Sequence, residues 1–402
     1  MHDQILEKAQ SYQTSITSFL QELIRIPSVN GRDEEREVAQ RILEEAKKLD
    51  LSAKIAAKDQ NRPNVLVTLG KGEKGFALIG HLDTVAEGDA SNWTYPPFEA
   101  VSLDGLIFGR GSADNKAGIA CGLYTLALLR DLNLIDSQLF KITLAGVADE
   151  ESGASSSLGV RFLLDEQLLK ADGAIYTYTS DIVCIGHRGL IRLEITTKGE
   201  SVHAGLAEWH NQITGANAVT ALSEILYKLE KLKIPFKAPA GFEHLGFTIT
   251  PGTLVSGGDY PSIIPNRAKA TIDIRMLPGQ ESQTVFREIQ TIIDQVTKAR
   301  RGITAKTVTT INFPGAAIPI DHPLAEIAQK TAEEFTGRDW ERKGAGPGNE
   351  GYMLIGAGIP TLCGFGPRGG NPHAPNEWVA IDSLPITTAI YAHIITEYLL
   401  TN

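Results

Sequence analysis

Histidines and carboxylates recur along this chain in short groups that could hold a metal ion or move a proton. The first is Gly80-His81-Leu82-Asp83-Thr84-Val85, which follows the apolar run Phe76-Ala77-Leu78-Ile79. That run reads as a short buried strand, and in extended backbone residues two apart point to the same side. His81 and Asp83 would then share one direction, with the carboxylate placed to orient the imidazole as it does for a metal-binding histidine. Asp114 lies in Gly109-Arg110-Gly111-Ser112-Ala113-Asp114-Asn115-Lys116, Glu150-Glu151 follow a predicted strand over 139–148, and His373 stands in Asn371-Pro372-His373-Ala374-Pro375. Singly, each has an ordinary alternative: an incidental His-x-Asp triplet, a helix N-cap for Asp114, a solvated turn for the acidic pair, a surface turn for His373. Their common place is less ordinary. Most stand at a predicted strand end or in the loop just after it, where open sheets form ligand sites. An acidic pair there is costly unless paired or metal-bound.

The elements that must position these groups alternate. Mixed three and four spacing of apolar residues predicts helices over 5–24, ended by Pro27, and over 33–49, with Val38, Ile42, Leu43 and Ala46 on one face. Strands are expected near 51–56, 64–69, 139–148 and 173–178, with helices after Lys116 and near 157–169. This order favours a largely parallel, helix-covered sheet. From about 187 the order is strand, helix, strand, strand, helix, strand (190–197, 211–232, 246–254, 267–275, 282–298, 304–311), which is ferredoxin-like. Helices over 323–335 and 384–399 and a strand over 360–365 resume the first pattern. The expected fold is therefore α/β: a catalytic domain of two parts, 1–186 and 305–402, with an α+β domain inserted at 187–304.

Bulk properties bound the function. A chain of 402 residues exceeds one ordinary core, so two domains are the default. A formal charge of −10 without a Lys/Arg cluster argues against a nucleic-acid surface. Cys121, Cys184 and Cys363 are odd in number, far apart and in apolar surroundings, which favours free thiols in a reducing compartment. No signal-like apolar core follows Asp3, Glu7 and Lys8, and no run approaches the roughly 18 apolar residues of a membrane span. A cytoplasmic protein with no membrane partner is the expectation.

Four motifs in order carry a specific resemblance. Gly-His-Leu-Asp-Thr-Val (80–85), Phe-Gly-Arg-Gly-Ser-Ala-Asp-Asn-Lys (108–116), Ala-Asp-Glu-Glu (148–151) and His-Ala-Pro-Asn-Glu (373–377) resemble those of one zinc metallopeptidase and amidohydrolase family. That family includes acetylornithine deacetylase, succinyl-diaminopimelate desuccinylase, aminoacylases and related carboxypeptidases. The resemblance spans essentially the whole chain, including an inserted lid domain that dimerises. It implies that Asp114 bridges two metals, His81 binds the first, and Glu151 and His373 bind the second. It further implies that Glu150 is the general base and that Asp83 orients His81. Carboxylate and imidazole suit Zn²⁺, with cobalt or manganese as alternatives. A water activated by the metal could pass its proton to Glu150. Ser201-Val202-His203-Ala204-Gly205 resembles the lid histidine that reaches the partner's site, making His203 a candidate oxyanion donor. A surface histidine is its alternative, and His210 is a weaker competitor. Arg275 matches the lid arginine that grips a substrate carboxylate, or else forms a structural salt bridge.

The chain also departs from the family pattern. Where the first metal's terminal glutamate is expected, Ile175-Tyr176-Thr177-Tyr178-Thr179-Ser180 places Tyr178, a poor ligand unless deprotonated. Asp181 could substitute if the loop shifts. The second site is therefore expected to be the better occupied. Ser262 stands where an asparagine is common, and Asn349, in Gly348-Asn349-Glu350-Gly351, falls in the expected substrate loop. The leading expectation is a homodimeric, zinc-dependent hydrolase holding one or two ions and cleaving N-acyl amino acids or short peptides. A one-metal hydrolase or deaminase of another small C–N substrate, or a non-catalytic, metal-poor binding protein, are the alternatives.

Overall fold

Apolar runs of Val, Leu and Ile bounded by glycine become the strands of a six-stranded sheet. Its order is Ser52–Asp59, Arg62–Gly70, Phe140–Val147, Lys74–His81, Gly173–Tyr176 and Thr361–Leu362. The first two junctions are antiparallel and the remaining three parallel. The computed structural model describes residues 2–401. These fall into two compact units: one runs to His187 and includes Ala317–Ala345 and the chain from Asn349, and the other comprises Arg188–Ala316 with Gly346–Gly348.

In the first unit the parallel register decides what meets at the sheet's carboxyl end. His81 pairs with Val147 and Ile79 with Tyr176. The turn bearing Glu150 and Glu151 and the segment bearing Tyr178 thus leave the sheet beside His81. One sheet face packs Ala77, Ile79, Ala145, Val147 and Tyr176 against Val160, Leu163 and Met353. Against the other lies helix Ala117–Asp131, buried at every position from Ala117 to Leu129. A helix apolar all round is a core helix, and helix Ser383–Thr401 packs against it. Close approach explains two glycines. A Cβ on Gly118 would lie 1.8 Å from the Thr177 carbonyl oxygen, and one on Gly80 within 2.9 Å of the side chains of Asn115 and Thr177.

A small antiparallel sheet joins distant motifs. Trp378–Ala380 pairs with Leu106–Phe108, with Trp378 opposite Phe108. The loop carrying His373 is thereby laid against the loop carrying Asp114. The expected helix over 5–24 is two helices, His2–Ser11 and Gln13–Arg25, broken at Tyr12. The expected strand over 360–365 shortens to Thr361–Leu362, and Val183–His187, paired in parallel with Arg342–Ala345, was not anticipated.

The second unit is an antiparallel sheet in the order Thr248–Gly257, Arg267–Met276, Gly189–Lys198, Thr304–Phe313. Burial alternates strictly along Arg267–Met276. Ala268, Ala270, Ile272, Ile274 and Met276 form the core with Leu222 and Ile225 of helix Ala218–Glu230 and with Ile289 and Ile293 of helix Ser282–Ala299. Strand Thr304–Phe313 pairs with Gly189–Lys198, so this unit extends to Ala316 rather than ending at 304. The helix expected from 211 begins at Ala218, because Gly215 takes a positive φ of 84° and the Asn217 side chain caps Thr220 N. Cys121, Cys184 and Cys363 are free and buried. Among the described residues no helix is long and apolar enough to cross a membrane.

Replacing Gly118 by alanine drives a methyl into the Thr177 carbonyl and is expected to cost about 1–3 kcal/mol. Urea unfolding measures this, and an unchanged midpoint would refute the close packing described here.

Candidate metal centre

Metal-competent atoms converge at the end of strand Lys74–His81. One ligand atom each from His81, Asp114 and Glu151 lies within 4.8 Å of the others. His81 Nε2 is 2.7 Å from Asp114 Oδ1. His373 Nε2 is 3.1 Å from both Asp114 Oδ2 and Glu151 Oε1. Asp114 thus faces both imidazoles, one with each oxygen. Two imidazoles and two carboxylates meeting in this way are a donor set that fits a divalent transition metal.

His81 Nδ1 is 2.9 Å from the backbone carbonyl of Asp83, whereas the Asp83 carboxylate is 3.7 Å away. The hydrogen bond of the ring is therefore to the Asp83 main chain, with the expected carboxylate at the longer, ion-pair distance. Its carboxylate turns instead to the neighbouring loop, where it accepts the main-chain N–H groups of Glu150 (3.2 Å) and Glu151 (3.0 Å).

Asp114 is held by residues that pattern reading passed over. Glu377, fully buried, accepts main-chain N–H groups from Gly111 (3.1 Å), Ala113 (2.8 Å) and Asp114 (2.9 Å), together with Arg110 Nη1 (2.5 Å). Asn115 Oδ1 accepts the His81 N–H at 3.0 Å, and the Asp114–Asn115 peptide bond is cis. Both Arg110 and Glu377 lie inside the quoted motifs. The signal that could have found them is the Phe108–Trp378 pairing, which periodicity does not reveal.

Charge crowding sets the protonation states. Burial opposes ionisation of His81, but Asp114, Glu150 and Asp83 outweigh it and raise its pKa well above the ordinary value. Contacts with Asp114 and Glu151 lift His373 to about 10. Burial opposes ionisation of Asp114, yet its two imidazole partners hold its pKa below the usual carboxylate range. Burial first, then Glu151 and Asp114, pushes Glu150 well above it, against the pull of His81.

Tyr178 is 5.5 Å from the His81 ring, between centroids, and stacks on Tyr176 at 5.2 Å. Burial, then Glu150 and Asp114, raises its pKa well above that of a free phenol. A neutral phenol is a poor metal ligand, and Asp181 is exposed outside the group. His81, assigned from the sequence to the weaker site, lies inside the compact group.

The remaining candidates have other partners. Asn349 is buried, donating to the Cys363 carbonyl (2.5 Å) and accepting from Gly351 N (2.9 Å). In the second unit, Arg275 pairs with Asp273, at 2.7 Å from Nε to Oδ1 and 3.2 Å from Nη2 to Oδ2. His203 is exposed and accepts Gly205 N at 3.1 Å, and His210 is exposed at the end of the short helix Ala207–His210.

An α/β unit with a His/carboxylate cluster at its strand ends, accompanied by a separate α+β unit, is an arrangement that suits a metal-binding enzyme. The sequence matches peptidase family M20/M25/M40 over residues 77–397, and the chain belongs to that family. It is 28% identical to the uncharacterized protein YgeY of Escherichia coli (strain K12), over 99% of this chain and 98% of that protein. It is 25% identical to a probable succinyl-diaminopimelate desuccinylase of Staphylococcus epidermidis, over 80% of this chain and 81% of that protein. The M20 family metallo-carboxypeptidase Sso-CP2 from Sulfolobus solfataricus shares the fold, with a TM-score of 0.77 at 19% identity, over 95% of this chain and 98% of that one.

With His373 at about 10 and His81 raised well above its ordinary value, both rings carry a proton at pH 7 that a metal must displace. Zinc loading of the metal-free protein at pH 7 should therefore release protons. Titration calorimetry in buffers of different ionisation enthalpy reads their number, and zero release overturns the assignment.

Proposed function

We propose that this M20 enzyme hydrolyses the amide bond of N-acyl amino acids or short peptides, with Glu150 as general base. The observation that carries the reading is the place of Glu150. It is 5% exposed, beside His81, Asp114 and Glu151, on a turn whose main chain is fixed by Asp83. A carboxyl group whose proton affinity is raised by burial and like charge is suited to take and return a proton. Bound zinc would supply polarisation of the scissile carbonyl and a lowered pKa for the attacking water. His81, Asp114, Glu151 and His373 would hold it. Glu150 takes a proton from water as its oxygen bonds to the carbonyl carbon. It then delivers that proton to the leaving nitrogen as the C–N bond breaks, leaving a carboxylate and an amine.

The desuccinylase relative supports an N-acyl amino acid as substrate. Arg275 is the reading's candidate grip on a free carboxylate, His203 its candidate oxyanion donor within a homodimer, and Asn349 a support of the substrate loop. The cytoplasm is the proposed location.

Kinetics on a panel of N-acetyl and N-succinyl amino acids and dipeptides tests the substrate class. Glu150→Gln is expected to lower kcat on the order of 10²–10⁴-fold with metal retained. A near wild-type rate removes Glu150 from the role of base.

The family resemblance puts Tyr178 at the position of the first metal's terminal glutamate. One tightly held zinc ion per chain is therefore expected by emission spectroscopy after exhaustive dialysis. Two such ions would contradict a spectator role for the phenol.

A further inference from the structure

The turn that carries Glu150 and Glu151 is suspended between two other carboxylates, and one neutral side chain joins them. Asn30 Nδ2 donates to Asp83 Oδ2 at 2.7 Å and to Asp149 Oδ1 at 2.8 Å, using both of its protons. Asp83 in turn accepts the main-chain N–H groups of Glu150 and Glu151. Asp149 immediately precedes Glu150 and takes a left-handed conformation, φ 66°. Its carboxylate also accepts Arg62 Nη1 (2.6 Å) and Ser156 Oγ (2.6 Å).

Asn30 itself is anchored. Its main-chain N–H donates to the Thr84 carbonyl at 2.8 Å, Thr84 N–H donates to the Ser28 carbonyl at 2.9 Å, and Ser28 Oγ donates to the Leu82 carbonyl at 2.7 Å. The Ser28–Asn30 segment is thus laid along the loop leaving His81. The two carboxylates are not equally supported. Asp149 has a guanidinium, and Arg62 is itself braced by Glu35. Among the described residues, Asn30 is the only side chain that donates a hydrogen bond to the Asp83 carboxylate.

We infer that Asn30 is a positioning residue for the reaction: its amide locks Asp83 to Asp149, and through them sets the base Glu150 and the metal ligand Glu151. This rests on the roles proposed above for those two glutamates. An amide suits the place because it offers two N–H groups without adding charge beside carboxylates that already repel one another. Nothing larger or charged is required of it, and its removal leaves the Asp83 oxygen without a side-chain donor.

Asn30→Asp keeps the shape but turns the donor into a third carboxylate. Asn30→Ala removes the donor alone and guards against a failure of the first variant to fold. Both are made in the full chain and read in two ways. The first is kcat and KM separately, on whichever panel substrate the wild type cleaves. The second is the visible absorption spectrum and affinity of Co²⁺ bound in place of zinc, which reports ligand geometry without turnover.

For either variant that folds, kcat should fall on the order of 10–100-fold with KM held within about twofold, as for a defect confined to the transition state. The Co²⁺ spectrum should shift or its affinity fall. Wild-type kcat together with a wild-type Co²⁺ spectrum and affinity in Asn30→Ala overturns the inference. A loss of activity with an unaltered Co²⁺ spectrum and a matching loss of urea stability also overturns it. If the wild type cleaves no panel substrate, the proposed substrate class fails, and the Co²⁺ measurements alone still decide for or against Asn30.

Discussion

Like charges must be held together at this site, and the structure around it is arranged to do so. Asp83, Asp114, Glu150 and Glu151 crowd one strand end, where burial removes the water that would screen them. Main-chain N–H groups supply much of the compensation. Asp83 accepts two of them, and Glu377 accepts three from the Asp114 loop. Hydrogen bonds to an ionised acceptor are among the stronger ones available to a protein, and those from the main chain keep their geometry because the backbone is packed. The parallel register that brings Val147 beside His81 places the Glu150 turn within reach of Asp83. Position and charge compensation therefore have one origin.

How much of this was legible follows from what each signal measures. Apolar runs such as Phe76–Ile79 and the alternation along Arg267–Met276 report burial, so the strands and the α+β character of the second unit were readable. Whole motifs in order pointed to the family. Pairing partners were not readable, because register depends on which strands meet. Hence Glu377 could be quoted in its motif without its partner Arg110, 267 residues away. The Asp83 main-chain carbonyl stands closer to the His81 ring than its carboxylate does, for a local reason. Same-side geometry is right for a continuing strand, but the strand ends at His81, and beyond it the Asp83 carbonyl faces the ring. Asn30 carried no signal at all: its importance lies in two carboxylates 53 and 119 residues away.

The second unit shows the same limit in milder form. Alternation locates its strands within a few residues and makes 304–311 the last strand of the ferredoxin-like order, yet a boundary at 304 cuts that strand from its unit, which runs to Ala316. The strand's partner, Gly189–Lys198, opens the unit, so the first and last strands lie side by side. A domain inserted in a loop of another favours such an arrangement, since entry and exit must lie close together. The helix start at Ala218 was obscured by Ile213 and Ala216, whose spacing fits a helix although Gly215 interrupts it.

The buried pair Arg110–Glu377 raises the question of why charge is kept where apolar residues would pack. Burying two ions costs several kcal/mol each, and a well-packed apolar pair often does as well for stability. Here the carboxylate has a second task that an apolar group cannot perform. The N–H groups of Gly111, Ala113 and Asp114 point at it, and an unmet buried donor costs about 1–3 kcal/mol. Arg110 opposes the effect of burial, which raises the glutamate's pKa. Lys116 is used in the complementary sense. Fully buried, with its pKa lowered to about 7, it donates to the carbonyls of Leu23 and Ile26, at the end of helix Gln13–Arg25. Even as a neutral amine it would still satisfy both acceptors. The loop bearing Asp114 is thus clamped from one side by an anion that collects N–H groups and from the other by an amine that collects carbonyls. Rigidity at the carboxylate that faces both imidazoles is what this expenditure of buried polarity secures.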